Sequence, residues 1–276
     1  MALPDMSNSM YVARLRYIQT VHEPAEKKNP DTMVRHFMPF KVRLQTRWMS
    51  KDDLSTLRSD PFYYYLLART KYYDQVVSEA FADGIQRLVM VGCGSDTRSY
   101  RFKDTIRGKG IKVLECDQAA SINEKKRLTK QWSDLGHVEH MAIDLNDSEW
   151  PSFEYWLGST KPRALVMLEG VSPYIHESAF MVFLKLLSTR LAPGSHMAYD
   201  FKIAGVKDDF GRGGRTEKPF RLTTSKDQTA AFHQSLGLQL DHMELSSELA
   251  KRLVPNLNGY PLFEEDGLLR LRVLGG

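Results

Sequence analysis

The stretch LVMVGCGSDTRSYRF, from Leu88 to Phe102, decides the predicted fold. Four apolar residues lead into two glycines separated by one residue, and an acid, a hydroxyl and a basic residue follow. An apolar strand that runs into a glycine-rich turn is typical of a site for a nucleotide-like ligand. The third glycine of a dinucleotide fingerprint is missing, because Asp96 and Thr97 stand where that pattern leads to it.

The composition indicates a folded globular chain without a strong charge. Of the 276 residues, 42% are hydrophobic and 11% aromatic, which is enough for a substantial core. The net charge of +4 permits an anionic substrate, but the sequence shows no basic stripe of the kind expected in a nucleic-acid-binding protein. The densest basic run, EKKRLTK from Glu124 to Lys130, is interpreted as a solvated helix face.

Cysteine usage and hydropathy predict a cytoplasmic protein. The two cysteines, Cys93 and Cys116, both fall at predicted strand ends, which favours a reducing compartment over a structural disulfide. No apolar run approaches the roughly 18 residues of a membrane span, and the N-terminal residues do not resemble a signal peptide. We therefore expect a small-molecule substrate and neither a nucleic-acid nor a membrane partner, and a homo-oligomer is possible.

Strands and helices alternate from Ile85 onwards. Five apolar runs (IQRLVMVG, IKVLEC, VEHMAIDL, RALVMLEG and HMAYDF) are followed by two later strands at LQLDHMEL and LLRLRVL. This alternation predicts an α/β fold with a mostly parallel seven-stranded sheet and helices on both faces. The predicted core spans residues 81–276, with a polar, glycine-rich substrate loop or lid at about 202–225.

Residues 1–80 are predicted to form a helical N-terminal extension. Helical spacing appears in MYVARLRYIQTV and in YYYLLARTKYYDQVVSEAF, and Asp60-Pro61 is typical of a helix start. The many aromatic residues here could shape a cover over an apolar pocket, and core packing alone would also explain them.

The ends of the first four predicted strands, where ligands bind in open parallel sheets, each carry a glycine or an acid, and we consider these residues together with two of their neighbours, Cys93 and Leu145. They are Gly92, Cys93 and Gly94 after the first strand, Asp117 after the second, Asp144 and Leu145 after the third, and Glu169 after the fourth. Each feature alone is explained by an ordinary turn or helix cap. Together they match an adenosyl ligand, with an acid for the ribose and an acid with an apolar neighbour for the adenine.

Two adenosyl ligands compete for such a site. NAD(P) would place its pyrophosphate at this turn, where the charge of Asp96 is unfavourable. S-adenosylmethionine has no phosphate and carries two cationic groups, so acids near the turn are acceptable and an arginine could bind its carboxylate. The residues favour S-adenosylmethionine over NAD(P).

The order of these motifs resembles the leucine carboxyl methyltransferase family, which includes O-methyltransferases of natural-product pathways. The resemblance covers roughly residues 60–200 and rests on GCGSDTRSYR, ECD, IDL, LEGVSPYI and the RTKYYD segment from Arg69 to Asp74. It implies a Rossmann-like class I methyltransferase fold. The region around Lys41 and Arg43 departs from the family pattern.

The resemblance also implies roles for single residues toward S-adenosylmethionine. Arg69 should reach the methionine carboxylate, Asp117 the ribose, and Glu169 the methionine amino group. Gly92, Cys93 and Gly94 should pass close to the cofactor, and Asp144 and Leu145 should frame the adenine. We expect Asp96, Thr97 and Arg98 to brace the turn.

The acceptor is not readable from the sequence. The leading hypothesis is methylation of a small molecule in natural-product biosynthesis, with oxygen, nitrogen or carbon as acceptor atom. A protein C-terminal carboxylate, a cofactor-binding protein without activity and an NAD(P) oxidoreductase are the alternatives. No metal site and no decisive catalytic base are visible; His176 fits a helix cap, Tyr174 could line an acceptor pocket, and Arg212 and Arg215 could hold an anion.

Overall fold

A computed structural model describes residues 8–132, 136–147, 149–207, 210 and 218–275. The chain folds into two units, each built from separate segments of the sequence. The first unit consists of Met1–Val76, Gly94–Lys103 and Ser246–Glu264, and the second of Val77–Cys93, Asp104–Leu245 and Glu265–Gly276.

The second unit contains a seven-stranded sheet in the order β3-β2-β1-β4-β5-β7-β6. The strands are β1 Arg87–Val91, β2 Lys112–Asp117, β3 Val138–Ala142, β4 Ala164–Leu168, β5 His196–Lys202, β6 Leu238–Leu245 and β7 Asp266–Val273. The pairs among β1 to β5 are parallel, whereas β7 pairs antiparallel with both β5 and β6. Each strand lies at a predicted apolar run, so the mostly parallel seven-stranded sheet is confirmed.

Helices alternate with the strands and also make up much of the N-terminal region. They are α1 Asn8–His22, α2 Phe40–Arg47, α3 Lys51–Arg58, α4 Pro61–Ala82, α5 Arg98–Arg101, α6 Lys103–Gly108, α7 Ala119–Thr129, α8 Pro151–Leu157, α9 Glu177–Arg190, α10 Lys226–Ser235 and α11 Ser246–Leu253. Helix α4 begins at Pro61 as predicted, because Asp60 Oδ1 accepts the N–H of Phe62 at 2.9 Å.

The central strands are buried on both faces of the sheet. All five residues of β4 are buried, as are the last four of β1. On one face, helices α8 and α9 contribute Phe153, Phe180 and Leu184 to the core. A parallel sheet covered on both faces leaves its strand ends as the places where ligands can approach backbone.

The basic run Glu124–Lys130 differs at one position from the solvated helix face that the sequence indicated. Helix α7 carries most of it toward solvent, but Lys125 is 1% exposed and pairs with Glu115, which is fully buried. Ile122, Lys125 and Thr129 are all buried, at the three- and four-residue spacing of a single helix face. The solvated-face interpretation is therefore wrong for Lys125.

The first unit has an aromatic core. Tyr65 stacks on Phe263 with ring centroids 4.9 Å apart, and Tyr64 meets the edge of Tyr260 at 4.8 Å. These pairs join helix α4 to the segment after α11, which lies nearly 200 residues further along the chain. The tyrosines of YYYLLARTKYY thus serve core packing, one of the two explanations that the sequence offered.

No helix in the described part of the chain combines the length and the apolar character that a membrane span requires. Cys93 and Cys116 are both buried, and they do not form a disulfide. Residues 208–209 and 211–217 of the predicted lid, including Arg212 and Arg215, lie outside the described residues, so the lid stays a prediction.

Candidate functional site

The turn after β1 needs glycine at position 92. Gly92 has a φ of +67°, and a Cβ placed there would lie 2.1 Å from Cγ2 of Val171, in the loop that follows β4. The next residue, Cys93, donates its N–H to the carbonyl oxygen of Cys116 at 2.9 Å. The turn is therefore packed between the loop that follows β4 and the end of β2. The strand order of the sheet reverses at this point.

Asp117 ends β2 and is half-buried. Its Oδ1 accepts the N–H of Gln118 at 2.7 Å, and its carbonyl oxygen accepts the N–H of Ile143 at 2.9 Å. The second bond extends the pairing of β2 with β3 by one residue beyond the end of β3. The Asp117 side chain is thus fixed at the carboxyl-terminal edge of the sheet.

Asp144 follows β3 in a turn. Its Oδ1 accepts the N–H of Asn146 at 2.9 Å, and its carbonyl oxygen accepts a hydrogen bond from Trp150 Nε1 at 2.8 Å. Leu145, the next residue, is buried. The structure therefore gives Asp144 the turn role that any strand-end acid can have, and it places an apolar side chain beside it.

Glu169 comes directly after β4 and is half-buried. The loop behind it is held by Asp200 of β5, whose Oδ1 accepts the N–H of Gly170 at 2.6 Å. The carbonyl oxygen of Asp200 accepts a hydrogen bond from Ser172 Oγ at 2.5 Å. Asp200 was not among the residues predicted from the sequence, although it is an acid inside the apolar run HMAYDF.

Asp96, Thr97 and Arg98 belong to a buried hydrogen-bond network within the first unit. Thr97 Oγ1 donates to Asp31 Oδ1 at 2.5 Å, and Arg98 pairs with both Asp74 and Asp96. Three further interactions complete the network: Arg101 with Asp74, Arg16 with Asp31, and Arg16 with the carbonyl oxygen of Ser95. The expected bracing role of Asp96, Thr97 and Arg98 is confirmed.

Arg69 also belongs to the first unit and is 6% exposed. Its guanidinium lies over the Tyr65 ring at 5.6 Å and the Phe62 ring at 5.8 Å. These contacts order a side chain that is suited to bind a carboxylate.

The residues considered for the acceptor lie after β4 and β5. His176 occupies the position before helix α9, where its backbone N–H donates to Asn146 Oδ1 at 2.8 Å. Tyr174 is exposed and packs against Phe210, with ring centroids 5.6 Å apart. The thiol of Cys116 offers no nucleophile here, because burial raises its pKa and keeps it protonated.

A family model described as leucine carboxyl methyltransferase matches residues 7–188. The chain belongs to the leucine carboxyl methyltransferase family. A Streptomyces avermitilis protein provisionally named an S-adenosyl-L-methionine-dependent methyltransferase is 27% identical over 208 residues, which cover 72% of this chain and 70% of that protein. A Streptomyces coelicolor protein with the same provisional name is 28% identical over 211 residues, 73% of this chain and 71% of that protein.

A solved structure agrees with the fold of this family member. A crystal structure from Listeria monocytogenes, provisionally described as an S-adenosylmethionine-dependent methyltransferase, matches with a TM-score of 0.50 and 12% identity. The match covers 73% of this chain and 97% of that one. The Rossmann-like methyltransferase fold is therefore confirmed.

As a leucine carboxyl methyltransferase family member, the chain is an enzyme that uses S-adenosylmethionine as methyl donor. The strand ends of the second unit fit this cofactor. The glycine turn lies at this edge of the sheet, and Asp117 and Glu169 could supply acceptors for hydroxyl and ammonium groups. No cluster of His, Cys, Asp and Glu among the described residues could hold a metal ion.

Proposed function

We propose that this methyltransferase acts on a small-molecule acceptor in natural-product biosynthesis. The observation that carries the proposal is the aromatic pair Tyr174 and Phe210, 36% and 41% exposed and in mutual contact after β4 and β5. Exposed neighbouring rings suit a planar or apolar molecule, which gains by stacking on them. A polar protein C-terminus would gain less from such a surface.

We further propose that the predicted cofactor residues act as the family resemblance implies. In this assignment Asp117 accepts hydrogen bonds from the ribose hydroxyls, and Glu169 accepts them from the methionine ammonium. The remaining assignments are Arg69 to the methionine carboxylate, the backbone of Gly92, Cys93 and Gly94 alongside the cofactor, and Asp144 and Leu145 to the adenine. We also propose a cytoplasmic location, which is supported by two cysteines that do not form a disulfide.

The cofactor supplies an electrophilic methyl group, and the chain supplies position and exclusion of water. Methyl transfer is an in-line displacement, so alignment of donor and acceptor contributes most of the rate. A carboxylate acceptor needs no base, whereas a phenol, an alcohol or an amine requires removal of a proton. The Tyr174–Phe210 pair would orient the acceptor in either case.

Replacing Asp117 by alanine should weaken binding of S-adenosylhomocysteine by roughly 10- to 100-fold, because one or two hydrogen bonds to a charged acceptor are lost. Titration calorimetry measures the affinity, and thermal unfolding checks that the fold is retained. Asp147→Ala, an exposed acid in the turn after β3, is the matched control and should bind normally. Unchanged affinity in Asp117→Ala would remove the ribose assignment.

The acceptor proposal is tested by incubating the enzyme with S-adenosylmethionine that carries a deuterated methyl group and with a cell extract from the organism that encodes the enzyme. The extract is first separated into an ultrafiltrate and a protein fraction. We expect a deuterium-labelled product in the ultrafiltrate. Tyr174→Ala and Phe210→Ala should each raise the KM for that acceptor roughly 2- to 10-fold, because each loses an aromatic contact, and leave cofactor affinity unchanged. Tyr155→Ala, which alters an exposed aromatic of helix α8, is the control.

Label found only in the protein fraction would overturn the small-molecule proposal in favour of a protein C-terminus. Cofactor binding without label in either fraction would support the inactive binding protein. Quenching of protein fluorescence by NADH, without binding of S-adenosylhomocysteine, would favour the oxidoreductase.

A further inference from the structure

A buried ion pair lies beneath the glycine turn in the second unit. Glu115 on β2 is fully buried, and Lys125 on helix α7 is 1% exposed; Lys125 Nζ lies 3.1 Å from Glu115 Oε2. His140 Nε2 on β3 lies 3.1 Å from the same carboxylate oxygen. Lys125 Nζ also donates to the carbonyl oxygen of Cys93 at 3.4 Å.

Such a pair is a poor way to stabilise a fold. Removing two charges from water costs about as much as their attraction returns, and well-packed apolar side chains of similar volume often serve stability as well or better. Glu115 and Lys125 therefore suggest a role other than core packing. Apolar replacements could supply neither the contact of His140 with Glu115 nor the hydrogen bond from Lys125 to Cys93, and of these two the second reaches the glycine turn.

This hydrogen bond fixes the peptide group that follows Cys93. The group is planar and trans, so a carbonyl oxygen held on the side of Lys125 directs the following amide N–H to the opposite side. The peptide group that precedes Cys93 is also held, because the N–H of Cys93 donates to the carbonyl oxygen of Cys116 at 2.9 Å. Both peptide groups of Cys93 are thus oriented by β2 and by a helix that packs on it.

We propose that Lys125, held by Glu115, is a positioning residue that orients the Cys93 peptide group for cofactor binding. Lys125 acts through the turn, and Glu115 holds the Lys125 ammonium under the Cys93 carbonyl. The proposal rests on the assignment of the Gly92–Gly94 turn to the cofactor.

The test separates positioning from stability with two variants. Lys125→Met removes the hydrogen bond to Cys93 and leaves Glu115 buried without its lysine, so both the melting temperature and the affinity for S-adenosylhomocysteine should fall. In Glu115→Leu/Lys125→Met neither of these buried charges remains, and the contact of His140 with Glu115 is lost, so the melting temperature should recover part of the way toward that of the wild type. Its affinity should stay roughly tenfold weaker, because the Cys93 carbonyl still lacks its charged donor.

Amide hydrogen exchange supplies a readout that does not depend on the cofactor. In the double variant without ligand, the amide of Cys93 should exchange faster than in the wild type, because the turn has lost the hydrogen bond that Lys125 donates to it. Lys126→Met, an exposed neighbour on the same helix, is the control and should change neither affinity nor exchange.

Two results would overturn the proposal. Wild-type affinity in the double variant would show that Lys125 serves stability alone, and so would unchanged exchange at Cys93. If Lys125→Met does not fold, the double variant and Glu115→Gln still decide, since glutamine can keep Lys125 in place and should retain most of the affinity. Failure of the wild type itself to bind S-adenosylhomocysteine would instead refute the cofactor-site assignment.

Discussion

Gly92→Ala is expected to weaken S-adenosylhomocysteine binding by on the order of 100-fold and to destabilise the fold by roughly 2–4 kcal/mol. Two costs add up at this position. Alanine is strained at a φ of +67°, and its Cβ would overlap the Val171 side chain at 2.1 Å. The overlap can be relieved only if the turn or the loop after β4 moves. Titration calorimetry and thermal unfolding of the same samples measure both effects.

Gly84→Ala separates the two costs. Gly84 has a φ of +76°, but a Cβ there would meet no atom within 4 Å. This variant should therefore lose only about 1 kcal/mol of stability, from the strained backbone conformation, and should bind the cofactor normally. Gly92→Ala/Val171→Ala should recover part of the affinity, because the clashing Cγ atoms are removed. Equal losses in Gly84→Ala and Gly92→Ala would show that close approach to Val171 is unimportant.

Asp74→Ala is expected to cost about 3–5 kcal/mol of stability, because it removes the shared partner of two buried guanidiniums. Asp74 pairs with Arg98 at 2.8 Å and with Arg101 at 2.7 Å, and these arginines are 1% and 10% exposed. Urea unfolding gives the free energy of unfolding. Asp74→Asn should lose less, since the amide oxygen still accepts a hydrogen bond.

Glu124→Ala is the matched control for Asp74→Ala. Glu124 also pairs with an arginine, Arg127, but both side chains are well exposed. Exposed pairs of this kind contribute about 0–1 kcal/mol. If Asp74→Ala were no more destabilising than Glu124→Ala, the network around Arg98 would not be what holds residues 94–103 in place.

Local features of the fold were predictable, because they depend on nearby residues. The buried strands β1 and β4 appear as continuous apolar runs, and Asp60-Pro61 marks the start of helix α4. The insertion of β7 between β5 and β6 was not predictable. It depends on pairing between strands distant in sequence, such as Tyr199 with Leu269, and no local pattern specifies that register.

The site shows the same division. Glycines and acids at strand ends were visible, since each stands next to an apolar run. Lys125 was missed because a lysine in a basic run is ordinarily solvated, and its buried partner Glu115 lies on another element. Asp31 was missed for a similar reason. It lies in a connection rich in proline and charge, yet it is fully buried and accepts a hydrogen bond from Thr97.

Each unit is built from three separate segments of the chain, so the first unit cannot be completed until its last segment has been synthesised. The first unit includes Ser246–Glu264. In that segment, the carbonyl oxygen of Asn256 accepts a hydrogen bond from Lys27, and the carbonyl oxygen of Leu253 accepts one from Lys71. During translation, helices α1 to α4 emerge from the ribosome long before those partners exist. They cannot make these contacts until residues 246–264 have been synthesised, and their apolar faces are available to chaperones in the meantime. Helices α1 to α4 are therefore synthesised well before the unit that they belong to can be completed.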